Sequence, residues 1–259
     1  MLELKEVSAY INNSASERIF GPVNLQVANG EICTIIGPSG CGKTSLLKTI
    51  AGINNRYDGK VSLNSSPLIP RKSKISYIPH NYGLLSHLTL KDNILLPLKI
   101  KKLAINKEII FRLHYLASML SIENLLDKYP LQASNWELQS SAIARGLIVE
   151  PEVLLMDDPF SKLDLIDREC AQEKLKKLLR EHSTITLFVT HSIEESIYLG
   201  NRVIVFSSGA GKIIADITAL QTCDEDRTSG RFVKLTSIIR QLIKKDWREN
   251  QYEKVQNIS

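Results

Sequence analysis

The sequence predicts an α/β fold with an antiparallel β region near its start and a long α-helical insertion in its middle. Three observations carry that prediction. Short apolar runs alternate with helical patterns over much of the chain, which is the signature of a sheet covered by helices. Residues 2–10 and 23–27 instead alternate polar and apolar side chains, as strands of a half-exposed sheet do. From about Leu90 to Ala144 the period lengthens to that of helices.

In chain order, Glu31-Ile32-Cys33-Thr34-Ile35-Ile36 reads as a buried strand and Ser45-Leu46-Leu47-Lys48-Thr49-Ile50 as a helix. Residues 59–63 return to alternation, as do Ile75-Ser76-Tyr77-Ile78 before Pro79. Within the insertion, Ile109, Leu113, Leu116 and Leu120 fall on one helical face, followed by Ile122-Glu123-Asn124-Leu125-Leu126. Val153-Leu154-Leu155-Met156 is a short strand ended by two carboxylates, and residues 167–181 form a strongly charged helix. Residues 186–189 and 203–206 are further buried strands. The tail from about Asp224 spaces Phe232, Leu235, Ile238, Ile239, Leu242 and Ile243 helically, with Lys234, Lys244 and Lys245 largely off that stripe. It reads either as a helix packed on its own domain or as one facing a membrane or a partner.

Hydrophobic residues at 43% provide for an ordinary core and argue against wholesale disorder. The net charge of +5 suits a surface near phosphates or anionic lipid, and equally a plain solvated surface. No apolar run reaches the length of a membrane span, and Met1-Leu2-Glu3-Leu4-Lys5 lacks the pattern of a secretory signal. Cys33, Cys41, Cys170 and Cys223 are scattered without metal-like pairing, which suits a reducing compartment.

Between the strand at 31–36 and the helix at 45–50 lies Gly37-Pro38-Ser39-Gly40-Cys41-Gly42-Lys43-Thr44, a match to G-x-x-x-x-G-K-[ST] in its proper strand-to-helix setting. Glycines let backbone N–H groups turn inward around an anion, and the new helix points its positive end at the same place. Lys43 is expected to neutralise the β- and γ-phosphates and the Thr44 hydroxyl to ligate Mg²⁺, with Ser45 beside it among the nucleotide contacts. The expected ligand is a nucleoside triphosphate.

Three further blocks complete a pattern: Tyr82-Gly83-Leu84-Leu85-Ser86-His87-Leu88-Thr89, Val153 through Asp164, and Leu187-Phe188-Val189-Thr190-His191. With the phosphate loop they make nearly the whole chain resemble an ABC-transporter ATPase subunit, nearest the nitrate, sulfonate and taurine importer branch. The resemblance implies a P-loop (RecA-like) core at residues 1–84 and 150–222. It also implies a helical subdomain at 85–149 and a C-terminal helical tail at 223–259. ATP and Mg²⁺ would be the cofactors. A second ABC ATPase subunit would pack head to tail against this one, and both would dock beneath transmembrane permease subunits fed indirectly by a solute-binding protein. The implied location is peripheral, on the cytoplasmic side of the cell (inner) membrane, with no nucleic-acid partner.

Carried over residue by residue, the resemblance makes Asp157 the Mg²⁺-associated carboxylate at the end of its strand. His191 becomes the histidine that contacts the γ-phosphate, and Ser161 and Asp164 fall in the loop that crosses to the partner. Each has a plainer alternative: a strand-end carboxylate, a surface histidine, ordinary turn residues after Pro159. Tyr10 is the nearest aromatic for stacking adenine, one residue early.

Three positions depart from the family. Asp158 stands where a glutamate polarises the attacking water, so its reach falls by about 1.5 Å, one C–C bond. His80 replaces a glutamine near the metal, and its charge would vary around neutrality, unless it is merely a spacer. Ala133-Ser134-Asn135-Trp136-Glu137 replaces L-S-G-G-Q, the motif that reaches the partner's ATP. A large indole and a carboxylate there, with only Ser134 left to bond phosphate, predict a degenerate signature motif.

Two functions follow: an importer ATPase subunit with weak hydrolysis, or a non-hydrolysing nucleotide-binding subunit beside an active partner. A soluble P-loop kinase or GTPase is disfavoured by the absence of an N-K-x-D-like motif. A heterodimer is expected over a homodimer, because in a homodimer both sites would combine Asp158 with the altered 133–137 segment. Tyr82, Leu84, Leu85 and Leu88 are candidates either for permease contact or for seating the helical subdomain.

Overall fold

A computed structural model describes residues 1–11, 18–219 and 227–256, with side chains as far as residue 250. Cys223 and Asp224 lie outside the described residues. In chain order the elements are β1 (Leu2–Tyr10), β2 (Arg18–Val27), β3 (Ile32–Ile36), α1 (Lys43–Ile50), β4 (Tyr57–Leu63), β5 (Ser66–Pro67) and β6 (Ile75–Ile78). Then come α2 (Leu90–Ile100), α3 (Lys107–Met119), α4 (Asn135–Leu147), β7 (Val153–Asp157), α5 (Leu165–Arg180) and β8 (Ile185–Val189). The last are α6 (Ile193–Leu199), β9 (Arg202–Phe206), β10 (Ile213–Thr218) and α7 (Gly230–Gln256). The fold class is α/β.

Side chains from the turn-forming residue types start five of these helices. Thr89, Asn106, Ser134, Asp164 and Ser192 are the N-caps of α2 to α6, each accepting from a backbone N–H three residues on. Each such cap is worth about 1 kcal/mol over alanine.

The chain forms two compact units, one from Met1–Ser73 with Ile185–Ser259, the other from Lys74–Thr184. In the first, β2, β1, β4 and β5 make an antiparallel sheet in that order. A second layer pairs β8, β3 and β9 in parallel and adds β10 antiparallel to β9. β3 and β8 are buried at every residue, which is why they read as continuous apolar runs, whereas β10 alternates in exposure. Helix α1 packs on β1, β2 and β8, and Phe20, Ile35, Leu46, Leu47, Phe188 and Phe206 are buried. Helix α7 lies on α6 with Phe232 and Ile239 buried, and the Ser208 N–H donates to Asp246 at 2.6 Å.

In the second unit β6 and β7 pair in parallel. Helix α4 is the central member, touching α2, α3, α5 and β6. Gly146 lets it come close: a Cβ there would stand 3.0 Å from Ile78 Cδ1.

Candidate functional site

Each unit carries one group of the residues singled out from sequence. In the first, β3 delivers the chain into the loop of residues 37–42, and α1 begins at Lys43. Gly40 and Gly42 have φ of +79° and +97°, where a side chain is strained. A Cβ on Gly42 would also stand 2.7 Å from Phe20 Cβ and 2.8 Å from the Ile19 carbonyl oxygen, so β2 presses on the loop from outside. A Cβ on Gly40 would meet nothing within 4 Å, and Ser39 and Gly40 form an exposed tip. Gly42 brings no side chain to cap α1, so no cap competes with an anion for the helix start.

The Lys43 ammonium donates to the carbonyl oxygens of Gly37 and Pro38, both at 2.8 Å, with its side chain buried. Its charge is thus held against the loop's own backbone. Cys41 Sγ lies 3.7 Å from it. Burial pushes the Cys41 thiol up more than Lys43 lowers it, so the sulfur stays a thiol. Thr44 and Ser45 form the half-buried first turn of α1. The donors, the helix end and the ammonium fit a polyphosphate. Mg²⁺ held largely through substrate phosphates and water asks for only one or two protein oxygens, and the Thr44 hydroxyl in this first turn is of that kind.

The same unit holds Tyr10 and His191. Tyr10 is half-buried at the end of β1 opposite Arg18, and its neighbour Ala9 is opposite Phe20, the residue against Gly42. His191 is exposed in the turn between β8 and α6. That turn is fixed by Thr190, whose hydroxyl donates to buried Glu195 and accepts from the Ser192 N–H at 3.0 Å.

In the second unit Asp157 ends β7, and its Oδ2 accepts from the Tyr77 hydroxyl at 3.1 Å. Burial, then the Asp157 charge, raises the Tyr77 phenol far above its ordinary range, so it remains a donor. Asp158 follows with φ of +48°, a conformation aspartate adopts more readily than most residues. Its backbone carbonyl accepts from Ser161 Oγ at 2.9 Å, and the same Oγ lies 3.0 Å from His80 Nδ1. Asp164 caps α5, accepting from the Asp167 N–H at 2.9 Å.

The 133–137 segment closes the start of α4. Ser134 and Glu137 form a capping box: Ser134 Oγ accepts from the Glu137 N–H at 3.3 Å, and Glu137 Oε2 from the Ser134 N–H at 2.7 Å. Glu137 is therefore engaged in closing the start of α4. Trp136 is half-buried with the Lys174 ammonium of α5 over its ring, 5.1 Å from the centroid. Of the two expectations for Tyr82, permease contact or a seating role, its burial suits the second. It is buried, its hydroxyl donates to Asn135 Oδ1 at 3.3 Å, and Lys162 lies over its ring at 4.9 Å. The reason is Arg145, which donates to the Tyr82 and Gly83 carbonyls and holds that turn down. Leu85 remains exposed.

Sequence reasoning missed Tyr77, Arg145 and Phe111. Phe111 is 74% exposed on α3, at a cavity of about 350 Å³ lined also by Arg112, Tyr115, Leu116 and Leu147. The helical period marks Phe111 as off the buried face, and an off-face phenylalanine is a readable signal.

Comparison with known proteins gives a consistent result. The family profile described as "ABC transporter" matches residues 20–161. An aliphatic sulfonates import ATP-binding protein, SsuB, of Bacillus thuringiensis subsp. konkukian is 32% identical over 242 residues, covering 93% of this chain and 95% of that protein. A molybdate/tungstate import ATP-binding protein, WtpC, of Pyrococcus horikoshii is 37% identical over 220 residues, 84% of this chain and 64% of that one. Among solved structures, the dimeric post-hydrolysis state of the ATP-binding cassette MJ0796 bound to ADP and Pi superposes with a TM-score of 0.75 at 28% identity. It covers 86% of this chain and 100% of the cassette. The loop around Lys43, the strand-end carboxylates and these matches agree, and the chain belongs to the ABC-transporter family of ATP-binding proteins.

Proposed function

We propose that this chain is the ATP-binding subunit of a membrane ABC transporter that imports a small anion or organic solute, and that it binds Mg-ATP with impaired hydrolysis. The observation that carries the reading is the glycine-shaped loop with Lys43 buried against it. The import named for the similar SsuB and WtpC proteins supports the direction. Residues 37–45 hold the triphosphate and Tyr10 stacks the adenine. Thr44 and Asp157 are the metal contacts, His191 faces the γ-phosphate, and Asp158 polarises the attacking water with His80 beside it. Magnesium bound with ATP screens the β- and γ-phosphates and polarises the γ-phosphorus. Asp158 is short for its task, and a misplacement of about 1 Å costs roughly a hundredfold in rate.

A second ATPase subunit completes the assembly, with Ser134, Ser161 and Asp164 turned toward it. Leu131, Leu165 and Ile166, exposed by 90%, 68% and 74%, support such a partner surface. We favour a heterodimer, because the phosphate loop is retained while the 133–137 segment is closed by its own side chains. Permease subunits and, indirectly, a solute-binding protein would complete the transporter at the cytoplasmic face of the cell membrane. No helix among the described residues is long and apolar enough to cross a membrane.

Mixing the chain with the ATPase subunit encoded beside it should give a one-to-one heterodimer by native mass spectrometry. Self-dimers alone would count against that pairing. The capping box at 134–137 also favours a second reading, a nucleotide-binding subunit that does not hydrolyse. ATP turnover by the assembled complex separates the two, since a zero rate from this chain's site selects the second.

A further inference from the structure

We infer that Ser161 is a positioning residue that holds the His80 imidazole as its Nδ1–H tautomer and so leaves the Nε2 lone pair as a fixed acceptor. The inference rests on the reading of His80 as part of the nucleotide machinery, and deepens it. Ser161 Oγ has two polar neighbours, the Asp158 carbonyl oxygen at 2.9 Å and His80 Nδ1 at 3.0 Å. A serine hydroxyl carries one hydrogen and a carbonyl can only accept, so the hydrogen belongs to the Asp158 contact. Turned instead toward Nδ1, it would leave two acceptors facing each other at 2.9 Å. The Nδ1 contact is then favourable only when the hydrogen on that side is the imidazole's own. A neutral ring with hydrogen on Nδ1 has none on Nε2.

Three residues of the second unit thus form one chain of donors, from His80 through Ser161 to the backbone of Asp158. Asp158 holds its carbonyl in place through the turn that its φ of +48° creates. The consequence is chemical. A glutamine at position 80 presents an amide that cannot take up a proton. Nε2 presents a lone pair that accepts a hydrogen bond from water and can take its proton. Imidazole nitrogen is a poor match for Mg²⁺, which prefers oxygen, so its partner is a water rather than the ion. The chain therefore gains a second proton acceptor beside an Asp158 that is one methylene short.

The test is long-range ¹H–¹⁵N NMR on nucleotide-free, ¹⁵N-histidine-labelled full-length protein at about pH 8, where an ordinary imidazole is neutral. The chain has five histidines, and His80→Gln identifies which signals belong to His80. Wild type should show a protonated Nδ1 and a bare Nε2 at His80. Ser161→Ala should move the ring toward the Nε2–H form that free imidazole prefers, and Ser161→Thr, which keeps the hydroxyl, should restore the wild-type pattern. An Nε2–H ring in wild type overturns the inference, as does a pattern indifferent to Ser161→Ala. Because the sample holds no nucleotide, failure here leaves the ATP reading standing. Failure of the ATP reading would show separately in binding measurements on Lys43→Ala.

Discussion

Two turns in this molecule open a helix, and they are built in opposite ways. The loop before α1 uses Gly40 and Gly42 at positive φ, supplies no capping side chain, and keeps the Lys43 ammonium on backbone carbonyls. The turn before α4 uses Ser134 and Glu137 to satisfy its own N–H groups and lays Trp136 against Lys174. The first has no side-chain cap over its helix start. The second spends its donors on itself. Both helices start soundly, one with no side-chain cap and the other with two.

The strongest way to break this contrast is Lys43→Ala. Charge-assisted hydrogen bonds to phosphate are worth about 1.5–3 kcal/mol each. The isolated chain should therefore lose ATP affinity by roughly a hundredfold in calorimetry while its far-ultraviolet spectrum holds. Unchanged affinity would falsify the phosphate-loop assignment.

A smaller effect is expected from Gly42→Ala. The backbone at φ of +97° and a Cβ only 2.7 Å from Phe20 Cβ both resist it. Strain of this kind costs about 1–3 kcal/mol, or roughly 2–10 °C in thermal midpoint for a chain of this size. ATP affinity should fall with it, because the loop must shift away from β2. A variant with wild-type melting and binding would mean that the loop is not pinned by Phe20.

How legible was this beforehand? The loop before α1 is readable because its signal is local, eight consecutive residues between a strand and a helix. The strand ending at Asp157 was readable for the same reason. Tyr77 was not, because its bond to Asp157 depends on the parallel register that sets Tyr77 beside Leu155 and Ile78 beside Met156. The His80 to Ser161 contact spans 81 positions and leaves no periodic trace. The turn at α4 is the instructive case. Ser134-x-x-Glu137 is the spacing of a capping box, a local signal that a reading of the segment as a phosphate-binding motif passes over. For Tyr82 the sequence leaves two alternatives open, since nothing nearby announces that Arg145 anchors its carbonyl.

Next in size come two substitutions that ask which half limits turnover in the assembled complex. Asp158→Glu restores a methylene of reach and should raise ATP hydrolysis severalfold, about 1 kcal/mol in the barrier. The left-handed backbone at Asp158 suits glutamate less well, so a slight fall in melting temperature should accompany the gain. Trp136→Gly removes the indole from beneath Lys174 and opens the start of α4. If it raises turnover where Asp158→Glu does not, closure against the partner is the limiting defect and the water-polarising carboxylate is adequate.

The smallest effect comes from Ser134→Ala, and it sharpens the contrast most directly. Alanine cannot accept from the Glu137 N–H, so the box loses one of its two bonds and the other is left less well fixed. A lost N-cap of this type costs about 1 kcal/mol, which for a chain of this size lowers the melting midpoint by roughly 2–4 °C. ATP affinity of the isolated chain should not move, because its own nucleotide is assigned to Tyr10, residues 37–45, Asp157 and His191, and Ser134 to the partner's side. A melting curve that ignores the substitution would mean that α4 is started by packing alone. Weakened ATP binding in the same isolated chain would mean that the two turns serve one ligand.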